Sequence, residues 1–150
     1  MRIVIQRVSE ADVHIAGVLK SKIGYGMLIL LGIEEGDTLQ DAEWLCHKII
    51  NLRIFNDESG VMNHSIMTSG GDILLISQFT LTASTRKGNR PSYIKAARPE
   101  KAIEIYQSFI QCLEKMFQKP IFCGEFGADM KVHLINDGPV TIIIDSKLKE

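Results

Sequence analysis

Arg2-Ile3-Val4-Ile5-Gln6-Arg7-Val8 sets Ile3 and Ile5 in alternation with Val4 and Gln6, and a β-branched run of this kind reads as a strand. Three more apolar runs follow: Val13–Ile15, Val18–Ile23 and Met27–Leu31. Gly17 and Gly24-Tyr25-Gly26 separate them, and that spacing predicts an antiparallel meander. Working outward, the period changes after Asp37. Asp37-Thr38 supplies the predicted helix N-cap, with Asp41 three residues after Thr38 near the positive helix end. Leu39, Ala42, Leu45, Cys46, Ile49 and Leu52 then recur at helical spacing, with Trp44 beside the stripe as packing.

Further on, Arg53–Phe55 reads as a short strand ending in the turn Asn56-Asp57-Glu58-Ser59-Gly60. Asp72–Leu81, after Gly70-Gly71, is apolar enough for a strand buried on both faces, and the polar stretch Thr82–Arg98 is a long loop. Pro99 and Glu100 open a second helix. Its apolar stripe is Ala102, Ile103, Tyr106, Phe109, Ile110, Leu113, Met116 and Phe117, and Pro120 follows its end. Ile121–Cys123, Met130–Ile135 and Val140–Asp145 complete the strands. The predicted architecture is α+β: a curved, mostly antiparallel sheet or barrel with two helices packed on it, in a single domain over residues 1–150.

The composition, 45 % apolar and 23 % charged, is that of an ordinary globular protein. No segment approaches the roughly 20 apolar residues that span a bilayer, and no secretory leader pattern opens the chain, so a cytoplasmic location is expected. Cys46, Cys112 and Cys123 are scattered and odd in number, and read as buried free thiols. His14, His47, His64 and His133 show no paired metal spacing along the chain. No G-x-S-x-G elbow, phosphate-binding P-loop or H-E-x-x-H helix is present. The expectation is a site with no metal, no cofactor and no histidine-activated serine.

The net charge of −1 conceals an asymmetry. Arg86, Lys87, Arg90, Lys95 and Arg98 lie in a segment with no acid, which leaves 12 basic against 18 acidic residues elsewhere. Such a segment is either a phosphate contact or a solvated loop. Two other segments carry comparable alternatives. Ser77-Gln78-Phe79-Thr80-Leu81, at a strand end feeding a loop, either presents backbone N–H groups to a carbonyl substrate or simply bonds its hydroxyls locally. Asn136-Asp137-Gly138-Pro139-Val140-Thr141 is a turn signal. A cis Gly-Pro there costs only about 0.5–1 kcal/mol and would aim two carbonyls in one direction.

Taken in order, these segments resemble the bacterial and eukaryotic D-aminoacyl-tRNA deacylase family over essentially the whole chain. The matching landmarks begin with Met1-Arg2, Gln6-Arg7-Val8-Ser9, Leu52-Arg53-Ile54-Phe55 and Gly70-Gly71. Ser77-Gln78-Phe79-Thr80-Leu81 and Thr85-Arg86-Lys87-Gly88-Asn89-Arg90-Pro91-Ser92 follow, then Phe126-Gly127-Ala128-Asp129-Met130 and Asn136-Asp137-Gly138-Pro139-Val140-Thr141. The resemblance implies a homodimer that hydrolyses the ester of D-aminoacyl-tRNA. It places Ser77, Gln78, Phe79 and Thr80 in the catalytic segment and Phe126, Ala128 and Met130 at the substrate pocket. Gly138 and Pro139 would act in trans through a cis bond, rejecting L-aminoacyl-tRNA. Arg86, Lys87 and Arg90 would hold the acceptor end of tRNA.

An aminoacyl ester is already activated, so the N–H groups of Phe79 and Thr80 are the expected oxyanion donors, assisted by a ribose hydroxyl of the tRNA. Thr80 as a nucleophile is the competing mechanism, although no base for it is visible nearby in sequence. Glycine has no side chain to exclude. Glycyl-tRNA, including glycine mischarged on the alanine tRNA, is therefore an expected substrate. The rival readings are a non-enzymatic RNA-binding module, an esterase for small D-amino-acid derivatives, and an inactive interaction domain.

Overall fold

One unbroken strand, β1 (Arg2–Ile15), organises the molecule. The computed structural model describes residues 1–149. β2 (Val18–Ile23) and β3 (Gly26–Gly32) run in succession along one edge of β1: Ala11–Ile15 pair with β2, and Arg2–Val8 pair with β3. The other edge pairs along its length with β8 (Met130–Asp145). These pairings are antiparallel, as expected from the sequence. Arg2–Val8 and Val13–Ile15, read as separate, are one strand because β8 pairs with Glu10, Ala11 and Asp12 between them; Met130–Ile135 and Val140–Asp145 are likewise one strand, interrupted by a bulge between Asn136 and Thr141.

The sheet is mixed rather than purely antiparallel. β6 (Asp72–Ser77) lies parallel to β3, and β7 (Phe122–Cys123) lies parallel to β6. The curl nearly closes where Ser21 Oγ on β2 donates to the carbonyl of Cys123 on β7 at 2.7 Å.

Helix α1 (Leu39–Asn51) starts at the anticipated N-cap, and the structure adds a capping box in which Thr38 and Asp41 satisfy one another's backbone N–H groups. α3 (Pro99–Phe117) begins at its proline and packs against α1. Ile105 is buried on its inner face, whereas Ile103 is exposed. Leu39 at the start of α1 is exposed as well, so the inner face begins one turn later, at Ala42. The short strand expected at Arg53–Phe55 is β4 (Phe55–Asn56), shifted towards the turn; two short elements were not anticipated, its hairpin partner β5 (Met62–His64) and α2 (Ile66–Ser69), one helical turn that makes three helices where two were expected. Elements of two to four residues carry too little periodicity to show in a sequence.

Two apolar clusters flank the sheet. The larger fills the space under α1 and α3 and contains Ile3, Ile5, Ile29, Leu75, Phe55 and Phe109. The smaller lies inside the curl and contains Val8, Ala11, Val13, Leu28, Leu74 and Ile76. β6 alternates between them, Ile73 and Leu75 to one side and Leu74 and Ile76 to the other, which accounts for its uniformly apolar sequence. β1 also serves both clusters, through register shifts against β8 between Gln6 and Glu10 that reverse which face is buried. Full burial of one such side chain is worth roughly 1.5–3 kcal/mol.

All three cysteines are free; Cys46 is buried, while Cys112 and Cys123 are only half-buried. Trp44 packs against the larger cluster, and the ammonium groups of Lys48 and Lys149 lie over its ring. Among the described residues, no helix is long and apolar enough to cross a membrane.

Candidate active site

The apolar run expected to be strand through Leu81 stops at Ser77. Gln78 N–H still reaches the carbonyl of Leu31 at 2.7 Å, but Phe79–Thr82 then winds into a 3-10 turn. Gly32 makes room for it: a Cβ there would lie 2.8 Å from Leu81 Cβ and 3.1 Å from the Gln78 carbonyl oxygen. Leu81 N–H closes onto the Gln78 carbonyl at 3.2 Å and is the first bond of the turn. The N–H groups of Phe79 and Thr80 stand ahead of it and donate to nothing among the described residues. Gln78 Nε2 donates to Thr80 Oγ1, and Thr82 Oγ1 to the Phe79 carbonyl.

This turn forms one side of a cleft of about 670 Å³. Ser77, Gln78 and Phe79 line it from the turn, Pro99 and Ala102 from the start of α3, and Phe126, Ala128 and Met130 from the segment entering β8. Phe126 is backed by Tyr106, with ring centroids 5.7 Å apart, and Tyr106 Oη donates to the Leu75 carbonyl at 3.3 Å. Burial holds the Tyr106 hydroxyl well above the usual phenol range and pushes the Cys123 thiol up to about 11, so both stay protonated at neutral pH. The one ionisable residue lining the cleft is Asp129, whose carboxylate lies 2.8 Å from Lys131 Nζ. The cleft is thus mainly apolar, with Phe79 and its free N–H in the lining, Thr80 and its free N–H one residue beyond, and no histidine on its walls.

The expected pocket residues therefore come together, but Thr80 does not line the cleft; its hydroxyl faces Gln78. Arg86, Lys87 and Arg90 are exposed and lie outside it. Their loop is not a loose tract. Ser84 and Ser92 exchange backbone hydrogen bonds of 2.8 and 2.9 Å, which closes the loop and carries the three cations towards its tip. Tyr93, just beyond, meets Phe79 edge-to-face at 5.0 Å and couples the loop to the turn.

Gly138 and Pro139 lie elsewhere in the chain, and neither lines its cleft. They do not form a hairpin turn. They bulge from the middle of β8, where the residues between Asn136 and Thr141 have no β1 partners in register, and the Gly138–Pro139 bond is cis. Both are exposed. Behind them sits Arg7, 5 % exposed, whose guanidinium donates to the carbonyls of Asp137 at 3.1 Å and Ile54 at 2.7 Å and to Asn56 Oδ1 at 3.1 Å. Asn136 braces the far side through bonds to the Arg7 and Val140 carbonyls. The sequence reading used Arg7 only as a landmark. Its signal was available: an arginine at position 7 continues the inward series Ile3, Ile5 of β1, and a charge in such a place needs partners.

This curved sheet with its packed helices has counterparts among solved structures. It matches a solved probable eukaryotic D-amino acid tRNA deacylase at a TM-score of 0.82 over 95 % of this chain and 97 % of that one, at 14 % identity, which establishes the fold alone. It also matches a c-Myc DNA unwinding element binding protein at a TM-score of 0.92 and 44 % identity, over 97 % of this chain and 98 % of that one. Residues 4–145 fit the family model described as D-Tyr-tRNA(Tyr) deacylase. The D-aminoacyl-tRNA deacylase of Bacteroides thetaiotaomicron is 65 % identical over 150 residues, covering 100 % of each chain. The chain belongs to the D-Tyr-tRNA(Tyr) deacylase family and is a hydrolase of that class.

Proposed function

We propose that the cleft receives the aminoacyl end of D-aminoacyl-tRNA and hydrolyses its ester, releasing free tRNA and the D-amino acid. The observation that carries this reading is the pair of unengaged N–H groups at Phe79, which lines the apolar cleft, and at Thr80, the next residue of the turn. Water adds to the ester carbonyl carbon, and the oxygen that gains charge is held by those two donors. The bond from carbon to the ribose oxygen then breaks, and the proton given up by water ends on that ribose oxygen. The neighbouring ribose hydroxyl of the tRNA relays it, since no side chain on the cleft walls is placed to do so.

Handedness is judged by a second copy of the chain. Gly138 and Pro139 of one protomer face Ser77–Thr80 of the other, where their carbonyls hold the substrate ammonium and occupy the space an L side chain requires. Support comes from the exposed bulge that presents these residues, its bracing by Arg7, and the exposed apolar residues Ile135 and Ile143 on the same strand. A glycyl ester escapes this exclusion, so glycyl-tRNA, including that mischarged on the alanine tRNA, is a substrate. Arg86, Lys87 and Arg90 contact acceptor-end phosphates without reading sequence. The setting is the cytoplasm, where aminoacyl-tRNA is found.

The test compares D-tyrosyl-tRNA, L-tyrosyl-tRNA, glycyl-tRNA and the ethyl ester of D-tyrosine, with the molar mass of the enzyme measured by light scattering. A dimer that clears the D-form at least about a hundredfold faster than the L-form, and also clears glycyl-tRNA, supports the reading. Equal rates on D- and L-forms, or a strict monomer, refute cross-subunit selection. Faster turnover of the ethyl ester makes the protein a small-ester esterase, and tRNA binding without hydrolysis makes it an RNA-binding module.

A further inference from the structure

The pairing of β1 with β8 places a second group of chemistry-bearing side chains on the face of the sheet turned away from the cleft. Asp12 stands directly opposite His133, and His14 follows two residues later on the same face. Between them, Val13 and Val132 point the other way, into the inner cluster, and Val132 and Met130 line the cleft. Asp12 Oδ1 lies 3.0 Å from His14 Nδ1 and 2.9 Å from His133 Nδ1, and the two rings meet edge-to-face with centroids 5.3 Å apart. Three donor atoms thus lie within 4.8 Å of one another.

His14 supplies the telling detail. Its Nδ1 has no solvent contact and makes no properly aligned hydrogen bond, despite its closeness to Asp12. A buried nitrogen without a partner carries a cost that a ligand would remove. Two imidazole nitrogens and one carboxylate oxygen form a donor set that suits zinc, whose bonds of about 2.0–2.2 Å in a tetrahedron separate adjacent donors by roughly 3.3 Å. The carboxylate oxygen is already near that spacing from both histidine Nδ1 atoms, and all three donors lie within 4.8 Å, so small side-chain rotations complete the set. Nearby cations do not block it: Lys22, opposite Asp12 on β2, has its ammonium 3.5 Å from Glu10, and Lys131, opposite His14, is bound by Asp129.

We propose that Asp12, His14 and His133 bind a divalent transition-metal ion, zinc in the first instance, with water completing the coordination. The ion is a structural clasp: it fixes the end of β1 to the start of β8, the segment whose opposite face supplies Val132 and Met130 to the cleft. It takes no part in ester cleavage. Spacing along the chain gave no hint of it, because Asp12 and His133 are 121 residues apart and only strand register unites them.

The full-length protein, stripped with a chelator and dialysed against zinc chloride, tests this. One zinc per chain is expected at micromolar free zinc, with affinity at least tenfold weaker in His133→Ala and in Asp12→Asn and unchanged in His64→Ala. His133 is exposed, so its replacement leaves the fold intact. Cobalt(II) should give a visible spectrum without thiolate charge-transfer bands, and 15N spectra should show Nδ1 of both histidines shifted by the metal. Failure to retain zinc, equal binding by His133→Ala, or thiolate bands pointing to a cysteine site would each overturn the proposal.

Discussion

Arg7 Nε donates to the carbonyl of Asp137 at 3.1 Å and lies 3.2 Å from the same residue's carboxylate, joining the middle of β1 to the bulge of β8. Replacing Arg7 by alanine strands the carbonyls of Ile54 and Asp137, at about 1–3 kcal/mol for each buried group left without a donor. Lysine keeps the charge but cannot span several acceptors in one plane. Both variants should keep the fold by circular dichroism. Both should lose on the order of tenfold or more in kcat/KM on D-tyrosyl-tRNA, because a selector displaced by about 1 Å misplaces the substrate.

Gly138 has a φ of +127°, and an added Cβ would sit 2.8 Å from Arg7 Nη2 and 2.9 Å from Val140 Cγ2. Gly138→Ala therefore strains the backbone and pushes on the brace behind it, costing roughly 1–3 kcal/mol. Chemical denaturation should register that loss. Discrimination between D- and L-tyrosyl-tRNA should fall as well. An unchanged D/L ratio in this variant would remove Gly138 from chiral selection.

In the proposed mechanism Thr80 contributes only its N–H, which alanine retains. If backbone donors carry the reaction, Thr80→Ala should hold kcat within about threefold of the parent, whereas deleting a true nucleophile costs several orders of magnitude. Single-turnover hydrolysis of D-tyrosyl-tRNA distinguishes the two outcomes.

Changing Arg86, Lys87 and Arg90 together to glutamine removes up to three phosphate contacts from a loop that the Ser84–Ser92 bridge closes independently. The slope of log affinity against log salt should then shrink by about 2, at roughly 0.7 per contact with single-stranded RNA. KM should rise while kcat is nearly preserved. Filter binding across a salt series provides the measurement.

Burial alone would raise the Asp41 carboxyl, but hydrogen bonds from Lys147, Ser146 and Thr38 outweigh it and hold the group well below its ordinary value of 3.8. A depressed folded-state value means the contribution is complete above the ordinary carboxylate range and is lost as pH falls below it. Urea unfolding should therefore show a stability gap between the parent and Asp41→Asn that is widest at pH 7 and narrows steadily towards pH 2.

The parts of this molecule that were legible in sequence are those whose cause is local. Thr38 and Asp41 marked α1, Pro99 marked α3, and the uniform apolarity of Ile73–Ile76 announced a strand covered on both sides. The end of that strand was misplaced by several residues. What stops it is room beside Gly32, on another strand, and no property of Leu81 itself. Likewise, a turn was read at Asn136–Pro139, but β8 resumes its pairing with β1 at Thr141, so these residues form a bulge within one strand. The Arg7 brace and the meeting of Asp12 with His133 depend on register between distant segments, which periodicity does not encode.

The continuity of β1 has a mechanical consequence. Its residues brace the Gly138–Pro139 bulge near Arg7, feed both apolar clusters, and pack Val13 against the inner cluster beside the cleft, so none of these regions can loosen alone. Amide protons from Ile3 to Val13 should exchange as one block, at rates set by opening of the whole molecule, while those of the loop between Thr85 and Pro91 exchange freely. If the bulge at Gly138–Pro139 selects for handedness as proposed, that selection is as rigid as the molecule's own unfolding equilibrium permits.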